Sequence, residues 1–211
     1  MDRSAIVLTN VNSNNLQQDP SLIELNGKPL IKLVVNSVEP IVNELIVIAN
    51  SVESSEKYAD ILGPHIQIIS NNESTGLLSD AQKGFEVAKN KFSLLLPSNT
   101  PFVSLDIVDL LFELCHSRSA AIPRFPDQEV ELLHAVYNTK IASEAARIAL
   151  ADGNTSLVDM VENMGGVRYV STLVFQELDP ELKMFYKVNR SVDLKLRESN
   201  ATRRLKLNKK R

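Results

Sequence analysis

Asparagine recurs at the four places where this chain could do chemistry. Asn10, Asn12, Asn14 and Asn15 follow the apolar run Ala5–Thr9, and Asn50 follows Leu45–Ala49. Asn71 and Asn72 follow Ile66–Ile69, and Asn99 follows Phe92–Leu96. Side-chain amides hydrogen-bond without carrying charge, so these groups converging on one edge would make a polar binding cleft. Asparagine also tolerates turn geometry well, and the same pattern suits ordinary loops. Both readings stay open at this level. The first cluster lies in "LTNVNSNNLQQDP", Leu8–Pro20, where a phosphate-binding loop needs glycines and a cation. No Lys or Arg occurs between Ser4 and Gly27, whereas Asp19 and Glu24 do. Such a loop does little to attract phosphate.

The elements that must position these residues are legible from periodicity. Short β-branched-rich runs at Ala5–Thr9, Leu45–Ala49, Ile66–Ile69, Phe92–Leu96 and Ala120–Pro123 predict buried parallel strands. Amphipathic helices are predicted over Pro29–Val38, Glu53–Leu62 and Leu77–Lys89. Another is expected in "SLDIVDLLFELCHS", capped by Ser104, with Ile107, Leu110, Leu111 and Leu114 as its buried stripe. Further on, Leu133–Tyr137 and Val167–Val170 read as strands, Lys140–Ala151 and Leu157–Met164 as helices. Alternating strands and helices imply an α/β fold with a doubly wound, mostly parallel sheet in three layers, α/β/α. Ligands of such sheets sit beyond the carboxyl ends of the strands. That rule selects Thr9–Leu16, Asn50, Ser70–Glu73 and Pro97–Pro101.

The chain has 211 residues, 44% of them hydrophobic, and a formal net charge of −3. This suits one globular domain, taken as 1–198, and gives no global pull toward nucleic acid. The exception is residues 199–211, whose "RRLKLNKKR" carries six cations. It reads as a flexible basic tail, with a tether to RNA, an acidic partner or a phosphate ligand as the minority reading. A single cysteine, Cys115, on an apolar face reads as core packing and excludes an internal disulfide. No apolar run reaches membrane-spanning length, and a cytoplasmic protein is expected. His134 in "LLHAVY" is a tempting base, but a strand histidine among apolar residues reads as structural.

Taken in order, the motifs carry a resemblance. "LTNVNSNNLQQDP" followed by "NGKPLI" resembles a glycine-rich nucleotide loop and its Gly-Lys-Pro-Leu turn. "ELIVIAN", "TGLLSDAQKGFEVAK", "PSNTPFVS", "LLHAVY", "DGNTSLVDMV" and "KVNRSVDL" resemble, in sequence, the later segments of the same family. That family is the MobA-type molybdenum cofactor guanylyltransferases (molybdopterin-guanine dinucleotide biosynthesis protein A). They belong among the nucleotidyltransferases with the Rossmann-like nucleotide-diphosphosugar-transferase fold.

The resemblance implies GTP and Mg²⁺ as substrate and metal, and a nucleotide or pterin as the bound partner. It places nucleotide contacts at Leu8, Thr9, Asn10, Asn50, Asn71 and Asn99, and substrate-side groups at Asn189 and Asp193. The departures fall on the chemistry. Asn10 and Val11 stand for the loop glycines, Asn15 for the loop arginine and Pro20 for the lysine. Asn99 stands at the metal-binding aspartate, and Asn71 at a second aspartate. Amides are weak substitutes for carboxylates toward Mg²⁺. The expectation is therefore a guanylyl-transfer site that is degraded or repurposed. One rival is an active nucleotidyltransferase drawing its cations from Lys28, Arg124, Lys187 or Arg190. The other is a non-catalytic module that binds a protein partner through the polar cleft or the tail.

Overall fold

The structure is a computed structural model, described over residues 2–9, 19–190 and 193. In chain order, β1 (Arg3–Leu8) leads to a two-residue hairpin, β2 (Glu24–Leu25) and β3 (Lys28–Pro29), and then to α1 (Leu30–Val38). There follow β4 (Glu44–Ala49), α2 (Val52–Leu62), β5 (Gln67–Ser70), α3 (Leu77–Val87), β6 (Phe92–Pro97) and α4 (Leu105–Cys115). The second half holds β7 (Ala120–Arg124), β8 (Ala135–Asn138), α5 (Thr139–Ala151), α6 (Leu157–Glu162), β9 (Val167–Ser171) and α7 (Thr172–Phe175). Residues 194–211 lie outside the described residues, and the readings of the basic tail fall there.

Seven strands form one sheet in the order β5-β4-β1-β6-β8-β7-β9. β1 pairs in parallel with β4 and β6, β4 with β5, and β7 with β9. β8 alone runs antiparallel, against β6 and β7. Alternation along each central strand divides the core into two layers. Ala5, Val7, Val47, Leu94 and Leu96 pack with α1, α2 and α4. Ile6, Leu8, Ile46, Ile48 and Leu95 pack with α3, α5 and α6. This is the expected three-layer arrangement.

Two local features make the packing possible. The hairpin turns on Asn26 and Gly27, with φ of 52° and 73°, the left-handed pair that a two-residue turn demands. At Gly84 in α3, an added Cβ would lie 2.5 Å from Ile6 Cγ2, so only glycine lets the helix approach β1 this closely.

Several expectations are corrected in detail. Ser104 sits at the N-cap of α4 but makes no side-chain capping hydrogen bond. The buried face of α4 is Ile107, Val108, Leu111, Phe112 and Cys115, with Leu110 and Leu114 only partly buried at its margin. The strand predicted from Leu133 begins at Ala135. Leu132–His134 instead lead into it, because Glu131 and Thr100 draw the backbone and His134 toward the sheet edge. Cys115 is a core residue, its thiol donating to Val136 O and pushed up to about 12 by burial. Among the described residues no helix is long and apolar enough to cross a membrane.

Candidate functional site

Because β1, β4, β5 and β6 run parallel, the residues after them emerge on one edge: Thr9, Asn50, Asn71 and Ser98–Thr100. β8 enters from the same edge, which puts His134 beside Thr100. Asn10 and Asn15 lie outside the described residues.

Where the resemblance looks for a lysine, the structure has a buried proline. Pro20 opens a short 3-10 turn, Pro20–Leu22, and the Asp19 carboxylate caps it by accepting from Ser21 N at 2.9 Å. The other Asp19 oxygen accepts from the Tyr58 hydroxyl at 2.6 Å. Burial, with Asp19 beside it, pushes the Tyr58 phenol above its usual range. Ser21 and Ser98 share a buried hydroxyl contact of 2.7 Å. This end of the loop is thus bolted to α2 and to the end of β6, with the Asp19 carboxylate beside the position where the resemblance implies a lysine. Leu8 gives only its backbone to the edge: its side chain is core, and its carbonyl accepts from Ser98 N at 2.9 Å. The Thr9 hydroxyl turns inward to Ile48 O at 3.0 Å.

Asn50 is exposed at the end of β4. Asn71, after β5, is held by α3. Its Nδ2 donates to Asp80 Oδ1 at 2.8 Å and to Ser79 Oγ at 3.3 Å. Asp80 is almost fully buried, and sequence reasoning missed it. The signal was available: Asp80 lies on the same helical face as Leu77, Ala81 and Gly84, a carboxylate placed where periodicity demands an apolar residue.

Asn99 and Asn189 meet directly. Asn99 Nδ2 donates to Asn189 Oδ1 at 2.9 Å and to Val188 O at 3.3 Å, while Val188 N returns a bond to Asn99 O at 2.9 Å. Asp193 secures the other side of this segment, its Oδ2 accepting from Asn189 N at 3.0 Å and Arg190 N at 2.9 Å. Mg²⁺ does not fit this set. The metal position that the resemblance implies offers a neutral amide whose nitrogen is bound to Val188 O and Asn189 Oδ1, and the Asp193 carboxylate is engaged as a loop cap. Among the described residues no group of three or more His, Cys, Asp or Glu side chains is placed to hold a metal.

Behind Asn99 lies a second polar chain. His134 is fully buried, with Nε2 3.1 Å from Thr100 Oγ1 and Nδ1 3.6 Å from Glu131 Oε1. The Thr100 hydroxyl donates to Pro97 O, so it accepts from His134 Nε2. Lys187 closes the chain on Glu131 at 3.1 Å. Burial pushes the His134 imidazole below its usual range; Glu131 opposes this and Lys187 adds to it. Burial also works to raise Glu131, but His134 and Lys187 outweigh it and bring the carboxyl down to about 2. His134 is thus a structural histidine that ties the 183–190 segment to the sheet edge.

Residues 5–166 match the MobA-like NTP transferase domain family. The chain belongs to that family. It is 31% identical over 198 residues to a Methanosarcina mazei protein named "Probable molybdenum cofactor guanylyltransferase", covering 91% of this chain and 88% of that one. A protein of the same name from Methanosarcina acetivorans is 30% identical over 199 residues, with the same coverage of both chains. Among solved structures, the molybdopterin-guanine dinucleotide biosynthesis protein A of Archaeoglobus fulgidus superposes with a TM-score of 0.78 at 19% identity, covering 95% and 99% of the two chains. The 4-diphosphocytidyl-2C-methyl-D-erythritol synthase of Anaerococcus prevotii gives 0.72 at 14% identity, covering 95% and 96%. Both show the shared nucleotidyltransferase fold.

In this MobA-like chain three of the cations expected as replacements have partners of their own. Lys187 pairs with Glu131, Arg190 lies 3.7 Å from Asp193, and Arg124 stacks 5.3 Å over the Tyr169 ring. Lys28 is exposed on the hairpin.

Proposed function

We propose that this is a MobA-like protein of molybdenum cofactor biosynthesis whose guanylyl-transfer site is degraded or repurposed. The relatives' names support the pathway. The observation that carries the degraded site is the Asn99–Asn189 contact, in which the metal position is a neutral amide closed upon the chain's own C-terminal segment. Transfer of a nucleotidyl group rests on positioning and on neutralisation of phosphate charge by Mg²⁺ and cationic side chains. Pro20 and Asp19 remove one cation, and Asn99 and Asn71 remove two carboxylates. The protein acts in the cytoplasm, either holding a nucleotide or pterin ligand at the strand-end edge or meeting a protein partner. An active enzyme with replacement residues is the second reading, but the pairings of Lys187, Arg190 and Arg124 speak against it.

Calorimetric titration with GTP, CTP and ATP, each with and without Mg²⁺, tests the proposal. Weak binding that Mg²⁺ does not strengthen is expected. Tight, Mg²⁺-dependent binding of any of the three would overturn it.

A further inference from the structure

We propose that residues 203–211 of this chain dock on the free edge of β9 as an added antiparallel strand, held by charge and by two leucines. The proposal stands apart from the fate of guanylyl transfer.

β9 closes one end of the seven-stranded sheet. Among the described residues it pairs with β7 alone, so every second residue turns its N–H and C=O outward with no strand beside it. The surface along this edge is apolar. Tyr169 is 42% exposed, Leu173 56%, Val174 51% and Leu178 46%, four large apolar side chains on β9, α7 and the turn after it. An edge of this kind takes up a strand, with main-chain bonds along its length and side chains settling on the apolar surface.

Charge decides which strand. Residues 157–182, from α6 through β9 and α7, hold five carboxylates: Asp159, Glu162, Glu177, Asp179 and Glu181. Their one cation, Arg168, donates to Leu114 O at 3.1 Å. Arg124 stacks over Tyr169 from β7, and Lys183 pairs with Glu181. Five carboxylates against these three cations leave a net charge of −2. A second copy would bring the same excess of negative charge, which opposes pairing of β9 with its own image. Residues 203–211, "RRLKLNKKR", carry six cations and no Asp or Glu. Leu205 and Leu207 alternate with Arg204, Lys206 and Asn208, the period of a strand with one apolar face. Sign and pattern both match the β9 edge.

Reach is sufficient. Asn189 lies against Asn99, just beyond the end of β6. From β6 to β9 there are three strand spacings, roughly 14 Å. The stretch from 193 to 203 spans up to about 33 Å when extended. Because β8 runs antiparallel to both β6 and β7, the strands β6, β7 and β9 point the same way. The chain therefore departs from the edge at which β9 finishes, and a strand entering there runs antiparallel to β9. Tethering keeps the segment at an effective concentration on the order of millimolar, ahead of any free basic peptide.

Hydrogen exchange of the β9 amides, read by NMR on the full chain, tests the proposal. At low salt the outward-facing amides are expected to exchange at least about tenfold more slowly than in a Leu205→Asp/Leu207→Asp variant. In ~1 M NaCl, where the Debye length is about 3 Å, the native chain should lose most of that protection. The amides paired with β7 are the internal reference and should change in neither case. Outward amides that exchange equally fast in both chains, or protection indifferent to salt, overturn the proposal. Protection that is lost on dilution, with a doubled mass in sedimentation, overturns it as well, since a second copy then covers the edge. Should the variant fail to fold, the salt series on the native chain decides alone.

Discussion

Replacing Asn99 by Asp is expected to lower the melting temperature by roughly 10 °C in metal-free buffer near neutral pH. The native amide donates to Val188 O and Asn189 Oδ1 from a position 1% exposed. A carboxylate there has no N–H to give and turns its charge toward two oxygens. Leaving a buried charge without a partner costs about 3–5 kcal/mol, and each kcal/mol shifts a domain of this size by about 2–4 °C. Millimolar Mg²⁺ should recover part of the loss, because the new carboxylate and Asn189 Oδ1 then share a cation. Melting curves of both proteins with and without Mg²⁺ make the check. An unchanged melting temperature would mean that Asn99 does not hold the Val188–Asn189 segment.

Acid is expected to act through Glu131 and His134, and the second large effect is the loss of stability below neutral pH. Against burial, His134 and Lys187 bring the Glu131 carboxyl from its ordinary 4.5 down to about 2 in the fold. A lowered carboxyl contributes stability that is full above 4.5 and is lost as pH falls from there toward 2. The contribution is on the order of 3 kcal/mol. His134 has the same sign. Its folded value is lowered from 6.5, so its contribution is present above 6.5 and declines as pH falls through the interval below. Urea unfolding from pH 7 to 3 should therefore show a decline beginning with His134 and steepening with Glu131. Glu131→Gln should be less stable at pH 7 and flatter in acid. A variant with the native slope would show that the Glu131–Lys187 and Glu131–His134 contacts carry none of the acid response.

The fold was largely legible because its signals are local. The β-branched runs at Ala5–Thr9, Leu45–Ala49 and Phe92–Leu96 could only be buried strands, and each lies within a residue or two of its observed bounds. The antiparallel course of β8 was not legible, since strand direction depends on pairing partners far along the chain. At the site, the strand-end positions of Thr9, Asn50, Asn71 and Asn99 followed from the topology rule. Their partners did not. Asn99 meets Asn189 at a sequence separation of 90, and Tyr58 meets Asp19 at one of 39, separations that no local pattern encodes. Asp80 is the instructive omission. A carboxylate on the apolar face of α3 breaks the helical pattern, and such breaks fall where a side chain is needed for hydrogen bonding, here to fix Asn71.

Guanylyl transfer from GTP, measured as GTP consumption by the native chain with Mg²⁺ and a pterin acceptor, tests the central claim most directly. Losing one electrostatic stabiliser commonly costs about 10²–10³ in rate, and ordinary enzymes turn over at about 10 s⁻¹. On the proposed reading several are absent from this chain, and their effects do not simply add. The expected result is turnover below about 10⁻² s⁻¹ that added Mg²⁺ does not raise. Turnover of about 1 s⁻¹ or more would contradict the account, and would mean that groups other than Asn15, Pro20, Asn71 and Asn99 neutralise the triphosphate.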